Sequence, residues 1–338
     1  IEMRGHGHLS NSITIYFRAD CTPLVEGRNQ GVIYVTNPVL RGFFRLNRSA
    51  GSGFLVVNLI GDIARPEIVA QYPDAPWANV AEVVTPERAE YLLRAAIGVP
   101  DFPVEIVDVA TWRAVADSAE RYGDGRVFLA GDAAHTVPPN GGYGGNTGIG
   151  DAWDISWKLA AVLNGEAGPA LLDTYDAERR PLGEAVIEQA YGRYVTRVAT
   201  YIGADGIDPI VDDTWIELGP RYRSSAVAGE DDGGAVLNDP AAVAGHPGSR
   251  APHVWLDVDG KRVSTIDLFG RGWVLLAASD DWQAPAGVER HVVPAGVAEA
   301  YGIGATGASL VRPDGFVAWR ASAPGEDVGA VHARLLGR

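Results

Sequence analysis

The sequence predicts a mixed α/β (α+β) chain built from several units, and three observations carry that reading. Between Ser12 and Leu59, short segments rich in β-branched and aromatic residues suit an antiparallel sheet covered on one face. Arg126 to Leu163 reads as a strand, a breaker-rich loop and an amphipathic helix in succession. From Pro247 onward, short apolar strands alternate with turn dipeptides and close on a terminal helix.

Taken in order, Ser12 to Arg18 (SITIYFR) alternates, Val32 to Thr36 and Phe54 to Leu59 are β-branched and apolar, and Gly42 to Leu46 adds a short strand. Pro86 to Ile97 is a helix with proline at its start and Tyr91, Leu92 and Ala95 expected on the inward face. Val104 to Val109 is the next strand, and the chain then runs through Trp112 to Arg126. Residues 1–120 form the first unit.

Residues 121–203 hold the stretch around which the rest is arranged. Val127 to Ala130 is an apolar run expected to be a buried strand. Gly131 and Asp132 follow, then a loop with Pro138, Pro139, Gly141, Gly142, Gly144 and Gly145. From Ile149, the residues Ala152, Ile155, Leu159, Val162 and Leu163 recur at helical spacing, with Asn146 and Thr147 in cap position and Asp151 in the first turn. Strand, loop and helix start together aim unpaired N–H groups and the positive end of a helix dipole at one point, which suits an anion or an electron-rich ring. Gly131–Asp132 alone would read as a turn, and glycine runs are usually turns. His135 reads as a packed, hydrogen-bonded residue.

After it, LLDTYDAERRPLGEAV opens a long helix with Pro181 expected in its first turn, and Ile187, Tyr191, Tyr194, Val198 and Tyr201 form a core or interface stripe. Residues 204–245 turn rich in Gly, Asp, Pro and Ala, with the acidic tract Glu230 to Asp232, and read as a linker. Residues 246–338 are the third unit. Its strands are Val254 to Val258, Trp273 to Ala277 and His291 to Val293, with a turn at Asp259–Gly260 and the hairpin ASLVRPDGFVAWR; the helix Asp327 to Leu336 turns Val328, Val331 and Leu335 inward.

On these residues the chain resembles the class A flavoprotein aromatic hydroxylases, the family of para-hydroxybenzoate, phenol and polyketide hydroxylases. The likeness is sharpest in GD at 131–132, the proline pair, and GGxGxNTGxxDAxxxxWKL. It implies the C-terminal part of a glutathione-reductase-like FAD-binding domain, an antiparallel-sheet substrate domain roofing the flavin, and a thioredoxin-like C-terminal domain. Asp132 would bind a ribityl hydroxyl of FAD and Pro138 and Pro139 would lie near the flavin carbon that adds oxygen. Gly131, Gly142, Gly144, Gly145, Asn146 and Thr147 complete the implied cofactor contacts. Phe43, Arg45 and Asn58 are pocket candidates by position, and YDAERRP is expected to form structural ion pairs. The activity implied is hydroxylation of a phenolic or polyketide-like aromatic substrate with NADPH or NADH and O2 through a C4a-hydroperoxyflavin. Baeyer–Villiger oxidation or epoxidation on the same scaffold, or a non-catalytic flavoprotein half, stay open as alternatives. WxWxIP, the mark of a flavin halogenase, does not occur.

That family opens with a strand, a GxGxxG turn and a helix for the ADP half of FAD. The match here, Gly302, Gly304 and Gly307, is followed by strand-like ASLV and is set aside. An N-terminal FAD-binding segment upstream of Ile1 is therefore expected as a partner. Composition bounds the rest. A net charge of −15 and a pI of 4.8 argue against nucleic acid and anionic membrane. The single cysteine, Cys21, excludes internal disulfides and suits a cytoplasmic protein. No run reaches the roughly 20 apolar residues of a membrane span. No histidine spacing suggests a metal, and a homodimer is compatible with everything above.

Overall fold

The computed structural model describes residues 1–28, 31–60, 84–199, 203, 205–229, 234–258 and 260–338. The first unit is an antiparallel sheet, extended at one edge by a short strand of the second unit, in the order β2-β3-β4-β1-β5-β8. Its spine is the pair β1 (Met3–Arg18) and β5 (Glu105–Ala119), with β-bulges at Gly5/Gly7 and His8/Ser10. Both strands run longer than the sequence pattern suggests. Gly5, His6, Gly7 and His8 are weak strand formers, so pairing with the partner strand sustains the ladder there, not propensity.

Strands β2 (Val32–Thr36), β3 (Leu40–Leu46) and β4 (Ser52–Ile60) extend the sheet on one side, and a short helix α1 (Thr22–Val25) precedes them. One face packs Ile13, Ile15, Phe17, Leu40, Phe44, Leu55 and Val57 against helix α2 (Pro86–Ile97). The Thr85 hydroxyl caps α2 by accepting from Arg88 N–H, and Gly98 at φ 80° ends it. Its inward residues are Ala89, Leu92 and Leu93. Tyr91, expected inward, is 51% exposed, because the buried stripe runs one position to its other side.

Two short strands, β6 (Gly123–Asp124) and β7 (Val127–Phe128), form a ribbon, and β8 (His135–Thr136) joins the edge of the large sheet beside β5. Helix α3 (Tyr143–Leu163) then leads to helix α4 (Asp173–Arg197). Pro181 lies well inside α4, not in its first turn, and the helix continues through it. Buried Glu178 and Arg179 anchor that turn through ion pairs, which offsets the missing proline N–H. Ile187, Tyr194 and Val198 are buried as expected and pack on Leu9, Ala114 and Ala116; Tyr201 falls outside the described residues.

The stretch read as a linker carries a short helix α5 (Asp213–Glu217) and packs back with Tyr222, Ala226 and Leu237 buried. The acidic tract 230–232 and Asp259 lie outside the described residues. In the third unit β9 (Trp255–Val258) pairs with β10 (Lys261–Ser264). A four-stranded sheet follows in the order β12-β11-β13-β14. In it β11 (Trp273–Ala277) runs parallel to β12 (Val288–Val292) and antiparallel to β13 (Ala308–Val311), which pairs with β14 (Val317–Ala321). Helices α6 (Ala295–Ala300) and α7 (Val328–Leu335) cover it, and Val328, Val331 and Leu335 are buried as expected. Gly302 to Gly307 leads into β13, not into a helix, so that motif faces no phosphate site. The core of this unit reaches across to Ala161 and Leu171, so its packing continues into the end of α3.

Candidate active site

The site begins at Val127. The expected buried strand is only the two-residue β7, and Val127 is 60% exposed. Apolar character signals burial but not which neighbour provides it, and among the described residues only Gly123–Asp124 pairs here. Gly131 (φ 60°) then turns the chain into a single 3₁₀ turn, Gly131–Ala133.

Gly131 meets α3 closely: a Cβ on Gly148 would lie 3.0 Å from the Gly131 Cα. Only glycine allows two backbones this close, so the glycines of NTGIG set a distance, not flexibility. Beneath the contact sits Asp151, fully buried. Its Oδ2 accepts from Gly131 N–H at 3.0 Å and lies 2.6 Å from His135 Nε2, and Oδ1 accepts from Arg179 Nε at 2.8 Å. Arg179 donates onward to the Thr147 carbonyl at 2.8 Å and to the Tyr222 hydroxyl at 2.7 Å. Burial opposes ionisation of Asp151, but the hydrogen bond from His135 and the charge of Arg179 outweigh it and hold the carboxyl below its ordinary value.

The helix start differs from the sequence reading. α3 begins at Tyr143 with Gly142 (φ 75°) as its N-cap residue, so Asn146 and Thr147 lie inside the helix and do not cap it. Glycines 144 and 145 tolerate helix where their propensity argued for loop, and Thr147 instead donates to the Tyr143 carbonyl at 2.9 Å. Among the described residues no side chain caps this end, so the first-turn N–H groups there are open to a ligand. A Cβ on Gly145 would meet nothing within 4 Å, whereas one on Gly144 would touch Val137 at 3.5 Å. Pro138 is buried, Pro139 is half-buried, and the Pro139 carbonyl accepts from Gly142 N–H at 3.2 Å. Asp132 is exposed and has no hydrogen-bond partner among the described residues.

Phe43, Arg45 and Asn58 share the sheet face opposite the α2 core. Phe43 pairs with Val56 and Arg45 with Phe54, and Asn58 accepts from the Ser12 hydroxyl at 3.2 Å. Asn58 is 4% exposed, Phe43 half-buried and Arg45 exposed. No hydrogen bond joins the three to the Gly131–Thr147 segment among the described residues. The sheet and the proline pair are nonetheless continuous, because β8 pairs Thr136 with Asp117 just before Pro138.

The ion pairs expected in YDAERRP are present. Asp176 accepts from Tyr122 N–H and Arg180, and Glu178 accepts from Lys158 at 2.7 Å and from Arg312 at 2.6 Å. The sequence reading missed Asp151, Asp154 and Lys158 as a buried ladder. Three charges at helical spacing on one face of an otherwise apolar helix were the available signal. The expected stripe is also divided, since Ile149 is 70% and Leu163 is 81% exposed. No group of three metal-ligating side chains occurs among the described residues, and no helix among them is long and apolar enough to cross a membrane.

A turn at Gly131–Asp132, pinned to the start of an uncapped helix with open space at Gly145, fits the residues that would hold FAD. Comparison with known proteins gives the family. Residues 1–190 match the family model described as FAD binding domain, and residues 244–338 match the one described as aromatic-ring hydroxylase, C-terminal. The chain belongs to the class A FAD-dependent aromatic hydroxylases. Among these hydroxylases it is 49% identical to a 4-methyl-5-nitrocatechol 5-monooxygenase of Burkholderia sp., over 97% of this chain and 62% of the relative. It is 39% identical to an aklavinone 12-hydroxylase of Streptomyces purpurascens, over 99% of this chain and 63% of the relative. The crystal structure of an aklavinone-11 hydroxylase with FAD and aklavinone superposes at a TM-score of 0.86 and 39% identity, covering 99% of this chain and 64% of that one. The chain thus spans under two thirds of the length of these hydroxylases.

Proposed function

We propose that the complete protein is an FAD-dependent monooxygenase that hydroxylates a phenolic or polyketide-like aromatic substrate with NADPH or NADH and O2. The observation that carries this is the exposed Asp132 beside the uncapped start of α3, both fixed by the Gly131–Gly148 contact. The relatives' activities on a nitrocatechol and on aklavinone support the substrate class.

In this reading Asp132 accepts from a ribityl hydroxyl. The first-turn N–H groups of α3 would hold the electron-rich edge of a bound flavin, where the helix dipole favours negative charge. Gly131, Gly142, Gly144, Gly145, Asn146 and Thr147 let the ring approach, Pro138 and Pro139 shape the oxygen side, and Phe43, Arg45 and Asn58 belong to the roof over the substrate. Bound FAD would carry the electrons from NAD(P)H and activate oxygen. The chain's share is binding, orientation and exclusion of water.

Val127, Ile149 and Leu163 are separately exposed apolar side chains of the second unit, each worth about 1.5–3 kcal/mol if an additional ADP-binding unit covered it fully. We extend the proposal to units at 1–120, 121–203 and 246–338 joined through 204–245, the last unit thioredoxin-like and without redox cysteines, in a cytoplasmic protein. The test is NAD(P)H oxidation by the full-length, FAD-loaded protein with a panel of phenols and polycyclic phenols, with ¹⁸O₂ label followed into product. Labelled hydroxylated product supports the assignment; NAD(P)H oxidation that yields only peroxide with every phenol refutes it.

A further inference from the structure

Helix α3 presents three faces. Gly148 and Asp151 face Gly131 and Gly144 faces Val137, while Gly145, Ile149, Ala152 and Leu163 are exposed. The third face, from Tyr143 through Asn146, Gly150 and Trp153 to Asp154, lines a cavity of about 380 Å³ closed by α4, α5 and the third unit. Gly131, Asp132, Pro138 and Pro139 do not line it, whereas Asn146 and Thr147 do, so it lies away from the GD turn and adjoins the proposed flavin contacts at the first turns of α3. Its volume is within the range of small-molecule sites.

Aromatic and aliphatic side chains make up most of the walls of this cavity. Tyr222 and Phe316 stack at 4.2 Å and 22°, and Trp153, 52% exposed, stands at the rim. The inner charges are already satisfied. Asp314 accepts from Arg312 Nε at 3.0 Å, Asp154 pairs with Lys158 at 2.6 Å and Arg312 at 3.2 Å, and Arg179 pairs with Asp151. Arg250 is different: it is exposed at the rim, and its guanidinium has no ion pair or hydrogen bond among the described residues. Glu217, the other charged rim residue, is exposed and solvated.

We infer that this cavity is a second ligand site, which takes a planar aromatic acid with its ring between Trp153 and the Tyr222–Phe316 pair and its anionic group on Arg250. A guanidinium fork recognises a carboxylate bidentately, and aromatic walls favour a flat ring. The site reaches the flavin side through shared residues: Arg179 lines the cavity, holds the Thr147 carbonyl and grips Asp151, which holds Gly131. An occupant would therefore press on the residues that fix the GD turn.

The test is calorimetric titration of 2-naphthoate and of neutral 2-naphthamide into the full-length, FAD-loaded protein, its Arg250→Ala variant and its Leu218→Trp variant. Leu218 lines the cavity and is 41% exposed, so the indole fills space without entering a core. Saturable naphthoate binding below about 1 mM is expected, weakened at least about tenfold by Arg250→Ala while the amide is unaffected, and with both ligands lost in Leu218→Trp. Naphthoate binding that neither variant changes places the ligand elsewhere and overturns the inference, as does an absence of saturable binding. An equal loss of acid and amide in Arg250→Ala also overturns it. If Leu218→Trp fails to fold, Arg250→Ala decides alone. Flavin absorbance and hydroxylation, read in the same samples, report on the proposed function separately.

Discussion

Removing the Asp151 carboxylate should cost the protein far more than removing that of Asp132, although the two acids flank the same turn. Asp151 is fully buried and receives three donors, from Gly131, His135 and Arg179, at 3.0, 2.6 and 2.8 Å. Asp151→Ala leaves the Arg179 guanidinium buried without its counter-ion, and breaking a buried pair in this way costs about 3–5 kcal/mol. Asp151→Asn keeps an acceptor and a similar shape, so its expected loss is smaller, about 1.5–3 kcal/mol. Asp132→Ala, on an exposed residue with no partner among those described, should stay within about 0.5 kcal/mol of wild type. The assay is urea unfolding followed by tryptophan fluorescence, together with hydrogen exchange at the Gly131 amide, which Asp151→Ala should accelerate. If Asp151→Ala lies within about 1 kcal/mol of wild type, the Asp151 contacts do not hold the turn, and the structural basis for placing the flavin there fails.

Gly145→Val should fold as well as wild type, because its Cβ meets nothing within 4 Å, yet flavin titration should show at least about tenfold weaker binding as the side chain blocks the helix start. Gly148→Ala drives a Cβ to 3.0 Å from the Gly131 Cα, so about 1–3 kcal/mol of stability should be lost in the same unfolding assay. The buried cluster of Asp154, Glu178 and Asp314 with Lys158 and Arg312 sets three carboxylates against two cations. Burial, not fully offset by Lys158, pushes the Asp154 carboxyl up to about 7, while Arg312 and Lys158 overcome burial to hold Glu178 well below its usual range. The folded state therefore binds more protons at Asp154 than the unfolded state between its ordinary value of 3.8 and about 7. This group lowers stability as pH rises through that window, and its effect is level above it. Asp154→Asn should accordingly gain stability over wild type as pH is raised from 5 to 7 in urea titrations, with no further gain above that range. Glu178→Gln should lose about 3–5 kcal/mol at either pH.

Much of the fold was legible because local patterns coincided with packing. Helix α2 matched its sequence boundaries, since proline at the start and glycine after the end both act locally. The terminal helix and the β13–β14 hairpin were equally plain. The first eleven residues were not, because a glycine- and histidine-rich strand is sustained by its partner ladder, which no local pattern reports. The start of α3 was misplaced because glycines read as breakers, and only the Gly131–Gly148 approach shows why helix persists through them. At the site, GD, the proline pair and the glycine run were visible as a motif. Asp151 and Arg179 were not, because a charged residue inside a helix reads as solvated until the partner that buries it is known.

The most direct measurement is FAD affinity of the full-length protein and of its Asp132→Ala variant, by fluorescence titration of the apoprotein. A ribityl hydroxyl on that carboxylate is a charge-assisted hydrogen bond worth about 1.5–3 kcal/mol, so the variant should bind FAD roughly ten- to a hundredfold more weakly at unchanged stability. Equal affinity in the two proteins would make Asp132 a turn residue and contradict the placement of the flavin against α3.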